Sequence, residues 1–373
     1  MTDTNEPIDS PNEENQSREI TDSGKHHYCS MIPLPERKFE PEVSPNRERM
    51  ILVSSKKWVN GTKLKYYFFN GPTDGSPSSW KGSTAQKNTV KQAFKTWKDL
   101  GIGLEFEETN DKNEAQVRIG FKRGDGAWSY VGRDVIDIAS SPNERTMNFG
   151  WDISNDIDTA LHEIGHTLGA PHEHQNPNAG IIWDEPAVYE ALAAPPNRWD
   201  RQTTYYNIIR KIPSDEVQGS THDPDSIMHY PFEAGLILEP AAFRRGINPP
   251  GGLSSKDKEF VKKFYPPLTA SDYIELKISV SQLFNINAGE QKNFRFKPTV
   301  SRRYTIETFG RMDTLMVLFE KAAGEEILLA GDDDSGTGLN SKIQLRLIQG
   351  REYIIRVRLY YAEVAGSGSL MVY

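Results

Sequence analysis

A single cysteine, Cys29, in 373 residues excludes an internal disulfide framework. No apolar run approaches the roughly 18 residues that a membrane helix needs, so no span is expected. Basic residues are in the minority, 44 Lys and Arg against 52 Asp and Glu, for a net charge of −8. With no basic stripe interleaved with aromatics, nothing favours nucleic acid as a partner. The opening stretch, MTDTNEPIDSPNEENQSREITDSGK, lacks both the basic and the apolar region of a secretory signal. That leaves a mature form, a chain exported by another route, or one that works inside a cell, its own or a target. What is present is globular in character, with 36% hydrophobic and 26% charged residues, over a length that suits two domains better than one.

The chain is organised around residues 162 to 172, which read H-E-x-x-H-x-x-G-x-x-H. His162 and His166 are four apart, so on a helix they project from one face and can grip one metal ion. Glu163 lies about 100° further round, where its carboxylate can take a proton from a water on that metal. Gly169 can adopt the positive φ that ends a helix and turns the chain back, and His172 then returns as a third ligand. Three neutral nitrogen ligands with an open fourth position describe a catalytic zinc site rather than a closed structural one. The alternative for the short pattern is a buried helix that merely carries histidines. The extended pattern fixes five positions, and Asn155 with Asp158 three residues later supplies a capping-box-like entry to the helix.

Residues 1–45 are rich in Asn, Glu, Ser, Asp and Pro and are expected to be a disordered or pro-segment-like tail. Within it, Cys29 sits in His26-His27-Tyr28-Cys29-Ser30-Met31-Ile32-Pro33. A thiolate is a good zinc ligand, so Cys29 could fill the open coordination position and hold the site latent. The other reading is an ordinary thiol in a tail or packed on the domain. Residues 46–267 form the expected first domain. Within Lys57–Phe69, Asn60-Gly61 is a hairpin signal followed by an aromatic strand. Val90, Phe94, Trp97 and Leu100 are spaced for a helix over 84–100. Strands are expected at 104–106, 115–121, 128–133 and 146–149, then the histidine helix, then a less regular lower half. That half holds Ser226-Ile227-Met228-His229-Tyr230, with Met228 placed to pack beneath the metal ligands. Tyr230 could reach metal or substrate, or be a core tyrosine with a satisfied hydroxyl. A capped amphipathic helix over 254–266 ends at Pro266-Pro267.

Residues 268–274 read as a linker. Residues 275–373 are short alternating segments separated by turns, the pattern of an all-β sandwich. The run Asp332-Asp333-Asp334-Ser335-Gly336 offers oxygen ligands for calcium, or is a solvated acidic turn.

With both motifs in hand, residues 50–267 resemble the astacin family of metzincin zinc endopeptidases. Three stretches carry the resemblance: the zinc motif continuing as His172-Glu173-His174-Gln175-Asn176-Pro177, Ser226-Ile227-Met228-His229-Tyr230, and Trp128-Ser129-Tyr130-Val131-Gly132-Arg133. It implies an α+β chain. A metzincin unit, a twisted and mostly parallel sheet with two long helices and an irregular lower half, would precede the sandwich. It implies one zinc ion on His162, His166 and His172, Glu163 as general base and acid, and Tyr230 as an additional zinc ligand that swings to stabilise the oxyanion. It further implies export, and protein or peptide substrates for a chain expected to be a monomer. Animal astacins carry a cysteine where Ala127 stands here, so the likeness is to bacterial, disulfide-free members. In the family the glutamate at position 173 pairs with a newly cleaved N-terminus, and a propeptide aspartate is usual; no counterpart of that aspartate is evident. Residues 290–373 resemble the bacterial pre-peptidase C-terminal domain, an accessory of secreted hydrolases for substrate binding or secretion. The rival expectations are a binding protein on a degenerate protease scaffold and a metal-storage or sensor site.

Overall fold

The computed structural model describes residues 26–31, 58, 61–132, 134–137, 139, 141–212, 221–267, 273–322, 325–360 and 364–373. The expected linker falls largely outside these, as does most of the expected N-terminal tail. The first unit is built on a five-stranded sheet. Its strands are β1 (Lys63–Phe68), β2 (Glu105–Glu108), β3 (Val117–Gly120), β4 (Trp128–Ser129) and β5 (Met147–Asn148), in the order β2-β1-β3-β5-β4. All pairings are parallel except β4 with β5. Of the hairpin expected at Asn60-Gly61, the arm before Gly61 lies, apart from Trp58, outside the described residues. Gly61 does turn the chain, with φ 89°, but β1 pairs in parallel with β2 and β3. The burial of Leu64, Tyr66 and Phe68 chooses these partners. The strand expected over 128–133 shrinks to Trp128–Ser129, the edge that borders the site.

Two long helices cover one face. Helix α1 (Thr84–Lys98) starts at a capping box between Ser83 and Gln86 and buries Val90, Ala93, Phe94 and Trp97. Helix α2 (Ile157–Thr167) carries the histidines and is buried from Ala160 onward. Its N-cap is Asp156, not Asn155: the Asp156 carboxylate accepts the Thr159 N–H at 3.1 Å. Asp158 instead accepts the Gly252 N–H at 2.9 Å, tying the helix entry to the lower half. The two helices are joined through Trp97, whose indole N–H donates to the Leu161 carbonyl at 3.1 Å. Burying each such aromatic contributes about 1.5–3 kcal/mol, enough to fix the helix against the sheet.

The lower half contains helix α3 (Glu185–Ala193), the small ribbon β6 (Ile182–Trp183) with β7 (Ile237–Glu239), and helix α4 (Ser255–Phe264). Ser254 and Asp257 form a capping box on α4. The last unit is two sheets with a shared core. One has the order β13 (Glu325–Asp332), β12 (Thr314–Ala322), β15 (Glu352–Leu359), β10 (Gln291–Phe296), β8 (Ile274–Glu275). The other has β14 (Lys342–Leu347), β11 (Arg302–Gly310), β16 (Gly366–Val372), β9 (Gln282–Ile286). Phe294, Tyr304, Ile306, Met316, Ile355 and Leu370 fill the space between them. Arg358 leaves this unit to donate to the Phe264 carbonyl of α4 at 2.8 Å.

Candidate metal and catalytic site

Helix α2 ends where the sequence places Gly169, which has φ 94°. The carbonyls orphaned there are taken up from outside the helix. Trp58 donates its indole N–H to Thr167 at 2.7 Å, Tyr265 its hydroxyl to Leu168 at 2.9 Å, and Gly132 its N–H to His166 at 2.8 Å. The chain then swings back and delivers His172 to the face that carries His162 and His166.

Each of the first two imidazoles is oriented by its other nitrogen. His162 Nδ1 lies 2.8 Å from the Ile227 carbonyl, and His166 Nδ1 lies 2.8 Å from the Ala170 carbonyl. A carbonyl can only accept, so both rings carry their proton on Nδ1 and turn a bare Nε2 inward. His162 Nε2 is buried with no hydrogen-bond partner. His166 and His172 bring their Nε2 atoms to 3.1 Å. The Cys29 Sγ lies 3.4 Å from each of these two nitrogens. Among the described residues, Cys29, His162, His166 and His172 are the group whose ligand atoms converge. Tetrahedral zinc has ligand-to-ligand edges of about 3.3–3.7 Å; the edges among Cys29, His166 and His172 are 3.1–3.4 Å and all four ligand atoms lie within 4.8 Å of one another, so one thiol and three imidazoles suit that ion. Burial holds the imidazoles in the neutral, ligating form. The desolvated His162 is pushed down to about 4, and His166 and His172 lie well below the usual range, from burial and then from one another.

Glu163 is fully buried beside this set, and neither carboxylate oxygen has a hydrogen-bond partner. Burial pushes its carboxyl up to about 8. An unpartnered carboxyl in a dry site is costly unless a cation or a reacting water faces it. Tyr230 sends its hydroxyl into the same space, 2.6 Å from His172 Nε2 and 2.5 Å from the Cys29 carbonyl oxygen, to which it donates. A cavity of about 320 Å³ opens beside these groups, lined by Cys29, Trp151, His162, Glu163 and Tyr230 among others.

The Met228 turn is fastened from below. Asp257, the capping residue of α4, accepts the Ser226 hydroxyl at 2.6 Å and the Ile227 N–H at 2.8 Å. The same turn presents the Ile227 carbonyl to His162. Asp257 was invisible as a site residue in the sequence; its only signal was its place in a capping box. Glu173 faces the lower half, where it accepts the Asp223 N–H at 2.9 Å and the Asn176 amide at 3.1 Å.

The acidic run of the last unit behaves differently. Asp332 accepts Ser335 N–H at 3.0 Å and Lys342 N–H at 2.7 Å, which are the bonds of a turn. Asp313, unremarked in the sequence, is the carboxyl that faces Asp333 and Asp334. Its pKa rises to about 8, first from burial and then from those two charges. No second convergent set of His, Cys, Asp or Glu ligand atoms forms among the described residues, so calcium has no support there.

Comparison with known proteins places the chain among peptidases in sequence and fold. Residues 54–184 match the sequence profile of Astacin, a peptidase family. Karilysin from Tannerella forsythia is 24% identical over 208 residues, which are 47% of this chain and 42% of that protein. Bone morphogenetic protein 1 from Xenopus laevis is 28% identical over 199 residues, 49% of this chain and 25% of that protein. The chain thus spans less than half the length of these curated relatives. Among solved structures, myroilysin is 31% identical, covers 57% of this chain and 97% of its own, and superimposes with a TM-score of 0.50.

Proposed function

The chain belongs to the astacin family of peptidases, and from that membership we propose that it is a zinc-dependent endopeptidase acting on protein or peptide substrates. The observation that carries the reading is the convergence of three inward Nε2 atoms beside a buried, unpartnered Glu163 carboxyl. His162, His166 and His172 would hold the ion. Zinc bound there would lower the pKa of a coordinated water toward neutrality and polarise the carbonyl to be attacked. Glu163 takes the proton of the attacking water and passes it to the leaving amine. Tyr230 donates its hydroxyl to the oxygen that becomes negative during attack. That bond strengthens only as charge develops, so it lowers the barrier rather than merely binding substrate.

Cys29 is assigned the latency role. Its Sγ stands with His166 and His172, and its carbonyl takes the Tyr230 hydroxyl, so one residue engages both the metal ligands and the oxyanion donor. Residues 46–267 are assigned as the catalytic domain, 1–45 as a pro-segment-like tail, 268–274 as the linker and 275–373 as an accessory unit for substrate binding or secretion. Work outside the cell is part of the same reading, and no helix among the described residues is long and apolar enough to cross a membrane.

The test is cleavage of casein by the purified chain and its Glu163→Ala variant in matched zinc, with Cys29 replaced in both. Turnover by the parent and loss of about 100-fold or more in the variant, with zinc content equal, is the expected result. Equal turnover would remove Glu163 from the chemistry; zinc binding without turnover in either would favour a binding or sensor role.

A further inference from the structure

The segment His26–Met31 lies across the site, and its contacts divide into two kinds. The backbone is held by groups indifferent to side-chain identity. Asn197 accepts the Tyr28 N–H at 3.0 Å and donates to the His26 carbonyl at 3.0 Å. The Ser30 N–H donates to the Ala127 carbonyl at 3.1 Å, at the strand edge that borders the cleft, and the Met31 N–H donates to Asn207 at 2.8 Å. Of the six side chains only two are buried. One is Cys29, at the metal ligands. The other is Tyr28, 7% exposed, which fills a separate pocket.

That pocket is walled by aromatic rings. Tyr28 lies 5.0 Å from Tyr230, 5.9 Å from Phe232 and 6.2 Å from Trp199 between ring centroids. At its end the Tyr28 hydroxyl donates to the Pro231 carbonyl at 2.9 Å. Flat walls select a flat side chain, and an acceptor at the end selects one that carries a donor.

We propose that the Tyr28 pocket is a substrate side-chain subsite selective for tyrosine, and less strongly for phenylalanine, within two residues of the bond cleaved. This rests on the endopeptidase reading above. An extended peptide bound in place of residues 26–31 would find the same backbone partners in Asn197, Ala127 and Asn207. It would then be sorted by one side chain, placed beside the metal ligands by the shared wall residue Tyr230. A phenylalanine fits the walls but leaves the Pro231 carbonyl unpaired.

Two measurements test the proposal on the full chain loaded with zinc and carrying Tyr28→Ala and Cys29→Ala. The first maps cleavage sites in a denatured protein mixture. Tyrosine, then phenylalanine, should be enriched at one position within two residues of the cut. Cleavage with no aromatic enrichment would overturn the subsite. The second does not require turnover: calorimetric binding of the peptide acetyl-HHYSSM-amide against the same peptide with alanine in place of tyrosine. The tyrosine peptide should bind about tenfold tighter or more, and the phenylalanine peptide should fall between the two. Equal affinities would overturn the subsite. Absence of all cleavage together with tyrosine-selective binding would instead overturn the endopeptidase reading and leave the pocket standing. A Trp199→Ala change should weaken tyrosine-peptide binding and leave alanine-peptide binding unchanged.

Discussion

Met228 packs its sulfur against Gly165 so closely that a methyl group on residue 165 would collide with it. The α2 backbone therefore rests directly on the Met228 side chain, which joins it to the turn beneath. That turn also supplies the Ile227 carbonyl that orients His162. Nothing in the sequence marked Gly165 for this role, because it stands at a variable position of the histidine motif.

Gly165→Ala should displace the Met228 turn at a cost of about 1–3 kcal/mol, the usual range for overpacking. Because the displaced turn carries the Ile227 carbonyl, zinc affinity should fall with stability. Melting temperature and zinc titration check this. Lower stability with unchanged zinc affinity would show that the turn does not position His162.

Tyr230→Phe should lower kcat by about 10²–10³ and leave KM and zinc content little changed. The phenyl ring keeps its packing against Tyr28 and Phe232 and loses only the hydroxyl. Steady-state kinetics on a quenched peptide decide it, and an unchanged kcat would remove Tyr230 from the reaction.

Replacing Cys29 by alanine together with Tyr28→Ala should raise the initial rate on casein by about tenfold or more, because the competent fraction is set by how tightly residues 26–31 hold the site. Cys29→Ala alone should raise it less, since the Tyr28 anchor remains. Rates equal to the parent would remove the latency role.

Asp313 gives a pH dependence with a definite sign. In the unfolded chain a carboxyl ionises near pH 4. In the folded chain Asp313 keeps its proton up to about 8. Between those values the folded state binds more protons, so this stabilising contribution is complete below about pH 4 and is lost as pH rises toward 8. Asp313→Asn removes the dependence and should raise the melting temperature at pH 8 more than at pH 5. Thermal melts across that range in chelator check it; parallel curves for parent and variant would refute it.

The local terms were legible along the chain. The spacing of His162, Glu163 and His166, the positive φ at Gly169 and the strand alternation of the last unit are set by helix and strand periodicity and by which residue tolerates which backbone angle. Zinc chemistry was legible because its ligands sit within eleven residues. Cys29 was legible as a residue type, but its place was not. Whether a thiol 137 residues before His166 meets that ring depends on the path of the chain, and the sequence left both readings open. The parallel pairing of β1, the change of N-cap from Asn155 to Asp156, the hold of Asp257 on the Met228 turn, and the burial of Tyr28 among Trp199, Tyr230 and Phe232 emerge from the folded chain alone. Each joins residues through packing or a hydrogen bond that their spacing in the chain does not announce. Such contacts leave no periodic mark, because their energy depends on what lies across the fold and not on what lies next in sequence.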